Sequence, residues 1–179
     1  MSRPKELALS KVYALLEPGP VVLLATARKG RANVMTMSWH MMMEFEPPLV
    51  GCVVSGANYS FAALNATREC VIAIPAAGLA RKVVAVGNCS GREVDKFAAF
   101  ALTALPAGEV ASPLIGDCFA NLECRVHDAR LVNRYNMFVL EVVKAWIDPG
   151  RKSPKTIHHH GYGRFAVDGR TISLPSRMR

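Results

Sequence analysis

The chain has 179 residues, 51% of them apolar, and a mean hydropathy of +0.18, which predicts one folded domain with apolar surface left for a subunit interface. The formal net charge of +8 raises nucleic acid as a partner. The positive residues are dispersed among turns and chain ends, however, and no recognition-helix or aromatic single-strand motif accompanies them. We therefore prefer a solvated basic surface, which would equally suit an anionic nucleotide cofactor, to a nucleic-acid-binding module.

Several further classes lack support in the sequence. No apolar run approaches the ~18 residues of a membrane helix, and the first residues do not resemble a signal peptide, which predicts a cytoplasmic protein without a membrane partner. The five cysteines include no CxxC pair, so we expect buried small hydrophobes and no metal site. Motifs of dinucleotide-binding, P-loop, zinc-protease and serine-hydrolase sites are absent from the sequence.

Apolar runs bounded by turn signals predict at least six strands, which we place at residues 21–26, 32–38 prolonged through 41–43, 49–55, 69–74, 122–126 and 137–146. Helices are predicted over residues 3–17, 59–66 and 79–86. Residues 164–167 and 170–174 predict a final hairpin around Asp168-Gly169. Few long crossovers are needed, so the fold class is mainly β with inserted short helices, an antiparallel closed barrel. We predict a single domain over residues 1–179, with its core at about 18–147 and a C-terminal segment at 148–179.

Two details of the strands carry expectations. Residues 21–26 are apolar without interruption, which is typical of a strand buried on both faces. Leu122, Cys124 and Val126 alternate with polar residues, among them Glu123, and this predicts a half-buried strand.

Polar groups in two regions indicate a ligand. The hydroxyls of Thr36 and Ser38 lie in an apolar strand and need partners once buried, from the backbone or from a ligand. Asn58 and Ser60 stand at a predicted helix start, where free N–H groups favour a phosphate, although from this segment alone a plain N-cap is the better explanation.

A second small-residue loop comes later in the chain. Ser90 and Gly91 would let the backbone approach a ligand closely, and Lys96 would supply charge. The alternative is an ordinary loop with a solvated lysine.

Histidines do not define a catalytic or metal centre in the sequence. Side chains of consecutive residues in an extended segment point to opposite faces, so the triplet at 158–160 cannot ligate a metal from one side. We expect a loop at a subunit contact there. His40 and His127 are isolated and are interpreted as structural, and no side chain is assigned as a catalytic acid or base.

The order of several segments resembles a known family. NVMTMSWHMM, FEPPLVG, SGANYSF and GNCSGREVDKF follow one another as in the flavin reductase-like proteins of the FMN-binding split-barrel fold, most closely the flavoredoxin group. The later ANLECRVHDARLVNRYNMFVLEVV is similar to that group's paired barrel strands. The resemblance covers about residues 18–147.

The resemblance implies a split-barrel homodimer with FMN near the interface. The residues it implies for the isoalloxazine are Thr36, Met37, Ser38 and Trp39; for the ribityl chain and phosphate, Ser55, Asn58, Tyr59 and Ser60; and for the far phosphate side, Asn88, Ser90, Gly91 and Lys96. The implied function is oxidoreduction through bound FMN, with NADH or NADPH as a transient reductant and flavin, another small molecule or a protein as acceptor.

One departure from the family pattern concerns the reductant. Related flavin reductases commonly carry a Gly-Asp-His motif, associated with nicotinamide binding, where this chain has residues 133–138 and no histidine. Arg134 or Asn136 would have to substitute. The alternatives are a flavoredoxin-type carrier reduced by a protein partner, a pyridoxamine-phosphate-oxidase-like activity, and the nucleic-acid-binding module considered above.

Overall fold

The computed structural model describes residues 4–12, 16 and 19–175. In chain order the strands are β1 (Lys5–Leu7), β2 (Val22–Arg28), β3 (Arg31–Met37), β4 (His40–Phe45), β5 (Pro48–Val53), β6 (Glu69–Ile74), β7 (Ala104–Leu105), β8 (Leu114–Ile115), β9 (Ala120–Asp128), β10 (Met137–Ile147), β11 (Ile157–His159) and β12 (Phe165–Val167). The helices are α1 (Tyr59–Thr67), α2 (Ala80–Gly87), α3 (Lys96–Ala99) and α4 (Val132–Tyr135), with 3-10 turns at Leu9–Lys11 and Ala77–Leu79.

Eight strands form one antiparallel sheet in the order β3-β2-β6-β9-β10-β5-β4, with β1 added along β10. The two end strands, β3 and β4, are joined by only Ser38 and Trp39, so the sheet must curl until its ends meet. The result is a split barrel, as the sequence predicts. The pairs β7–β8 and β11–β12 are separate two-stranded sheets.

The hydrophobic core has two parts because β2 buries both of its faces. Val22 and Leu24 belong to the barrel interior, while Leu23 and Ala25 pack into a second cluster with α2. This confirms the prediction from the continuous apolar run. Helix α1 contributes Leu64 to the barrel interior, and this packing fixes the start of α1 beside β3.

Three sequence predictions of secondary structure are wrong. Residues 5–7 of the predicted first helix form β1, because the long strand β10 offers an open edge at Ala145–Ile147, and a 3-10 turn follows at Leu9–Lys11. The remainder of that predicted helix lies largely outside the described residues. The methionines at 41–43 do not prolong β3, since the chain bends at Ser38–Trp39 and β4 pairs with β5.

The final hairpin is also displaced from its predicted position. Phe165–Val167 pairs with Ile157–His159, and residues 171–175 have no regular structure. The turn is built by Gly161, Tyr162 and Gly163, whose φ angles are 87°, 50° and 75°. Asp168, predicted to lie in the turn, instead accepts a hydrogen bond from the backbone N–H of Thr156 at 2.8 Å.

Glu123 and four of the five cysteines are buried. Glu123 is fully buried, contrary to the alternation that groups it with the polar face of β9. Four cysteines are buried as expected, and burial raises the pKa of the Cys52 thiol to about 12. Cys89 is only half-buried.

None of the helices in the described ranges has the length and apolar character needed to cross a bilayer.

Candidate functional site

A groove follows β3 from the start of α1 to the bend before β4. It consists of two cavities of about 370 and 500 Å³, which share Met35, Thr36 and Asn58 in their walls. Both volumes fall in the range of ~300–1,000 Å³ that is usual for small-molecule sites. We call the first cavity the polar end; besides the shared residues it is lined by Asn33, Ala57, Tyr59, Ser60, Gly87, Asn88, Cys89, Ser90, Gly91, Glu93 and Lys96. The second is the bend end, lined by Met37, Ser38, Trp39, Val53, Ser55, Tyr135 and Asn136.

Lys96 brings a buried positive charge to the polar end. Its side chain is 4% exposed, and its Nζ donates a hydrogen bond to Val86 O at 2.8 Å. An ammonium group has three N–H donors, so this bond leaves donors for a ligand. Burial lowers the pKa of Lys96, which the neighbouring Cys89 partly opposes. Lys96 is therefore buried, and not solvated as the alternative interpretation of this loop has it.

Asn33, which sequence analysis did not select, lies across the polar end. Its Nδ2 donates to Ser60 Oγ at 2.8 Å. Its Oδ1 is buried and accepts no hydrogen bond from the described residues. A buried acceptor without a donor costs ~1–3 kcal/mol, so a donor supplied by a ligand would stabilise this side chain.

Gly91 allows the loop after α2 to close over Asn33. A Cβ atom at position 91 would overlap Asn33 Oδ1 and would lie 2.6 Å from Asn33 Cγ and 2.8 Å from Tyr59 Cδ1. The loop is held in place by Arg31, whose Nη2 donates to Gly91 O at 2.8 Å and whose guanidinium lies 5.6 Å from the centre of the Tyr59 ring. Only glycine permits this approach of backbone to side chain.

The start of α1 faces the same cavity. Asn58 is the N-cap residue of α1, but its side chain accepts no hydrogen bond from the first turn, so it does not cap the helix through its side chain. The first turn of a helix leaves backbone N–H groups without intrahelical acceptors and carries the positive end of the helix dipole. The backbone N–H of Asn58 already donates to Ser55 O at 2.9 Å, so Tyr59 and Ser60 are the residues that present first-turn donors to the cavity that Lys96 also lines.

The bend end is more apolar and more open. Met37 is buried in its wall, whereas Trp39 is 70% exposed at its rim. Thr36 Oγ1 donates to Val83 O at 2.5 Å, so the protein backbone already satisfies this hydroxyl. A flat ring therefore would meet the strand mainly through backbone and apolar surface between Met35 and Trp39.

The structure brings all twelve sequence-selected residues to the walls of this one groove. Their role in binding stays a prediction. The sequence did not single out the remaining wall residues Asn33, Met35, Val53, Ala57, Gly87, Cys89, Glu93 and Tyr135, nor Arg31, which holds the loop at Gly91. The argument made for Thr36, a polar side chain within an apolar strand, applies equally to Asn33 and would have selected it.

The segment that replaces the Gly-Asp-His motif borders the bend end. It forms α4 and a left-handed Asn136 with φ of 55°. Tyr135 and Asn136 line the cavity, whereas the Arg134 guanidinium packs 5.2 Å from the Tyr135 ring centre. Of the two predicted substitutes, Asn136 is thus the one in the wall of the groove.

The isolated histidines have protein partners. His40 bonds to Pro20 O at 2.7 Å through Nε2, and burial lowers the pKa of its imidazole. His127 lies 3.3 Å from Glu141 at the surface. Within the described ranges, no group of three or more His, Cys, Asp and Glu side chains is arranged to hold a metal ion.

The fold is that of a split-barrel protein, and a groove with the volume of a small-molecule site lies at the bend between β3 and β4. Residues 15–166 match the family described as the flavin reductase like domain, and the chain belongs to that family. The protein YddH of Escherichia coli, itself described as uncharacterized, is 31% identical over 187 residues, covering 97% of this chain and 99% of YddH.

Solved structures with the same fold include three from bacteria. An FMN-binding domain of a flavin reductases-like enzyme from Shewanella baltica has a TM-score of 0.90 at 22% identity, covering 97% of this chain and 98% of that one. The flavoredoxin of Desulfovibrio vulgaris gives 0.79 at 22% identity, with 87% and 90% covered. An FMN-binding protein from Thermus thermophilus, with 1-cyclohex-2-enone bound, gives 0.77 at 22% identity, with 88% and 90% covered.

Proposed function

We propose that this chain binds FMN along the groove and acts as an FMN-dependent oxidoreductase, taking electrons from NADH or NADPH and passing them to flavin or another acceptor. The observation that carries the proposal is that the buried Lys96 and the start of α1 line one cavity. A buried cation and a helix N-terminus in the walls of one cavity suit a phosphate monoester. Membership of the flavin reductase family and the FMN-binding structures of the same fold support this choice of ligand.

The residues of the groove fit the chemical parts of FMN. The phosphate suits Lys96 and the first-turn N–H groups at Tyr59 and Ser60. The buried Asn33 Oδ1 lacks a donor among the described residues, and a ribityl hydroxyl would supply one. The bend end, about 500 Å³ and bordered by Met37 and Trp39, offers apolar surface to a flat ring system.

Bound FMN would supply the hydride and electron chemistry, which no side chain of the groove carries. The protein's part is to hold and orient. Lys96 and α1 fix the anionic end, Gly91 lets the loop cover Asn33, and the bend at Ser38–Trp39 leaves the ring end accessible from outside. We assign no side chain as a proton donor or acceptor.

Titration of the purified protein with FMN tests the proposal. We expect one FMN per chain and a dissociation constant of about 1 µM or lower, equivalent to at least ~8 kcal/mol. Quenching of flavin fluorescence measures the affinity, and the visible absorbance of the isolated protein shows whether flavin copurifies. A protein that is colourless and leaves FMN fluorescence unchanged would refute the proposal.

A flavoredoxin-type carrier is the second candidate, because the ring end is accessible to a protein partner. Trp39 and Tyr135, which border the bend end, are 70% and 53% exposed. Anaerobic stopped-flow mixing of the FMN-loaded protein with NADH or NADPH separates the two functions. Loss of flavin absorbance supports the reductase, and absorbance that persists with both nucleotides supports the carrier.

We also propose that a second copy of the chain covers the outer face of β4. This edge strand exposes Met41 and Met43 by 53% and 46%. The two side chains share one face, because a Cβ atom at Gly51 of β5 would lie 3.4 Å from Met41 Cε and 2.8 Å from Met43 Sδ. Apolar side chains clustered on an open sheet edge are typical of a subunit interface. Trp39 continues this face to the bend end, which would place the cofactor near the interface.

Light scattering after gel filtration is expected to give twice the 19.4 kDa of one chain. Replacing Met41 and Met43 together by glutamate should yield a monomer, because two charges would be buried without partners. Leu174→Glu is the matched control, since Leu174 is 74% exposed and lies outside this face. A wild-type monomer at micromolar concentration would contradict the proposal.

A further inference from the structure

Although basic residues occur in several turns, the net charge of the chain is concentrated in its C-terminal segment. Residues 149–179 contain seven Arg and Lys residues and a single Asp, so they carry +6 of the formal net charge of +8. Residues 1–148 are nearly balanced, with 15 positive and 13 negative side chains. A strongly basic segment on a nearly neutral domain attracts anionic partners to one part of the surface.

The basic side chains of this segment are free to meet a partner. Four of them are exposed: Lys152, Lys155, Arg164 and Arg170. None of the four forms an ion pair within the described ranges. The one acid of the segment, Asp168, is already bound by His158 Nε2 at 2.7 Å and by the hydroxyl of Thr156 at 2.7 Å. The positive charge of the segment is therefore not compensated locally.

The hairpin formed by β11 and β12 carries this charge in a fixed position. The backbone N–H of Val21 donates to Ile157 O at 2.8 Å, and that of Ala77 donates to Lys155 O at 2.7 Å. These two bonds attach the hairpin to the start of β2 and to the turn before α2. A surface that is fixed in advance loses less entropy when a partner docks on it.

The tip of the hairpin presents an aromatic side chain beside the groove. Tyr162 is fully exposed and precedes Gly163 and Arg164. Tyrosine and arginine are the residues most enriched among those that carry the energy of protein interfaces. Gly163 lines a small cavity together with Ser38, which also borders the bend end. The tip thus lies near the end of the groove that is accessible from outside.

The surroundings of the tip favour an acidic protein over a nucleic acid. Among the described residues, neither the bend end nor the small cavity beside it is lined by Asp or Glu, so an acidic partner meets no like charge there. Single-stranded nucleic acid is bound by several aromatic side chains in succession, whereas the hairpin exposes one tyrosine at its tip. Electron-transfer proteins dock through small, charged and transient interfaces, which a single hairpin can supply.

We propose that this hairpin is the docking surface for a small acidic protein that carries one electron at a time, and that it holds this partner beside the bend end. The inference rests on the proposed function, because FMN in the groove is the group that exchanges electrons with the partner. Two reduced partner proteins each give up one electron, and FMN takes up both electrons with two protons from water. The hairpin then selects the partner by its charge.

A plant-type [2Fe–2S] ferredoxin, which is a small acidic one-electron carrier, is the probe. The fluorescence anisotropy of a label on the ferredoxin measures its binding to the protein. We expect a dissociation constant on the order of 10 µM at about 20 mM salt, and an affinity about tenfold weaker at about 300 mM, because salt screens exposed charges. Lys155→Gln combined with Arg164→Gln should weaken binding about fivefold at the lower salt concentration.

Arg28→Gln combined with Lys29→Gln is the matched control. Both residues are exposed and lie in the turn between β2 and β3, at the opposite end of β3 from the bend, so the same charge is lost far from the hairpin. This variant should change the affinity for ferredoxin by less than about twofold. A thermal melt checks that each variant is folded. Lys152→Gln combined with Arg170→Gln should act like the first variant and decides the question if that one is unfolded.

Four results would overturn the proposal. The first is that ferredoxin does not bind at low salt, and the second is that the hairpin and control variants lose affinity alike. The third is that a short single-stranded oligonucleotide binds more tightly than ferredoxin and depends on Lys155 and Arg164, which would assign the hairpin to nucleic acid. The fourth is a change of oligomeric state in the hairpin variants, which would assign the hairpin to a subunit contact.

The affinity for FMN is measured separately on the wild type. If FMN does not bind, the proposed function fails, but the ferredoxin titration on the protein alone still tests the docking surface, since the charges of the hairpin belong to the protein. With FMN bound, anaerobic stopped-flow mixing with reduced ferredoxin should remove the flavin absorbance, with a rate constant about tenfold lower at the higher salt concentration. Absorbance that persists would contradict electron exchange with the docked partner.

Discussion

Replacing Lys96 by methionine is expected to weaken FMN binding about a hundredfold, while riboflavin, which lacks the phosphate, should bind within about twofold of its wild-type affinity. The physical reason is that Lys96 is 4% exposed and faces the polar end, where a phosphate would exchange water for charge-assisted hydrogen bonds. A hydrogen bond to a charged group contributes ~1.5–3 kcal/mol, and a hundredfold change corresponds to ~2.7 kcal/mol. Methionine keeps a comparable unbranched apolar stem, so the change isolates the charge.

Fluorescence titration with both flavins makes the measurement. Lys82→Met is the control, because Lys82 Nζ also donates to a backbone oxygen, that of Ala101 at 3.0 Å, but lies outside the groove. That variant should bind FMN normally. Equal losses for FMN and riboflavin in Lys96→Met would mean that Lys96 supports the fold, and no loss for FMN would mean that the phosphate lies elsewhere.

The position of Lys96 shows which part of the site a sequence can predict. The loop of small residues from Asn88 to Gly91, followed by a lysine, carries a local signal, and so does the helix start at Asn58. The partner that faces them from β3, Asn33, is 27 positions from Ser60 in the chain. The side-chain amide of Asn33 reaches the cavity only because α1 packs against β3, and no local sequence pattern predicts this contact.

The bend between β3 and β4 also could not be predicted from the local sequence, because it depends on strand pairing. Residues from Asn33 to Met43 are apolar or small almost throughout, and no glycine or proline interrupts them. The interruption comes from pairing: β3 pairs with β2, whereas β4 pairs with β5 on the other side of the sheet. The groove exists because of this change of partner.

The prediction of a helix at residues 5–7 failed for a related reason. The apolar spacing near the N-terminus favours a helix, and local propensity is overridden where tertiary structure offers hydrogen bonds. Strand β10 extends to Ile147, and its open edge there pairs with Lys5–Leu7. At the apolar runs 21–26 and 69–74, local propensity and tertiary structure both favour a strand, because these residues are buried in the middle of the sheet.

The burial of Glu123 contradicts the local sequence pattern most clearly. The alternation in β9 groups it with Arg125 and His127, but the second core cluster and the loop before β8 cover that end of the strand. Its Oε1 accepts from Gly108 N at 2.9 Å and from Trp146 Nε1 at 2.6 Å. Its Oε2 accepts from the N–H groups of Glu109 and Val110.

Replacing Glu123 by glutamine is therefore expected to lower the free energy of unfolding by about 3 kcal/mol. Each carboxylate oxygen faces two donors, so either orientation of the amide sets its NH2 group against two other donors. Buried donors that lose their acceptor cost ~1–3 kcal/mol each when they cannot relax towards water. Urea unfolding, followed by the fluorescence of Trp146 and Trp39, measures the change.

Glu69→Gln is the matched control for this substitution. Glu69 is half-buried, and its Oε1 accepts one hydrogen bond, from Ala111 N at 2.9 Å, so its amide can turn the remaining oxygen towards that donor. We expect a loss of less than ~1 kcal/mol there. Similar losses at the two positions would show that the four donors around Glu123 rearrange freely. A much larger loss at Glu123 would show that its carboxylate fixes the loop at 108–110 against β9 and Trp146, although the pattern of the strand groups it with the polar face.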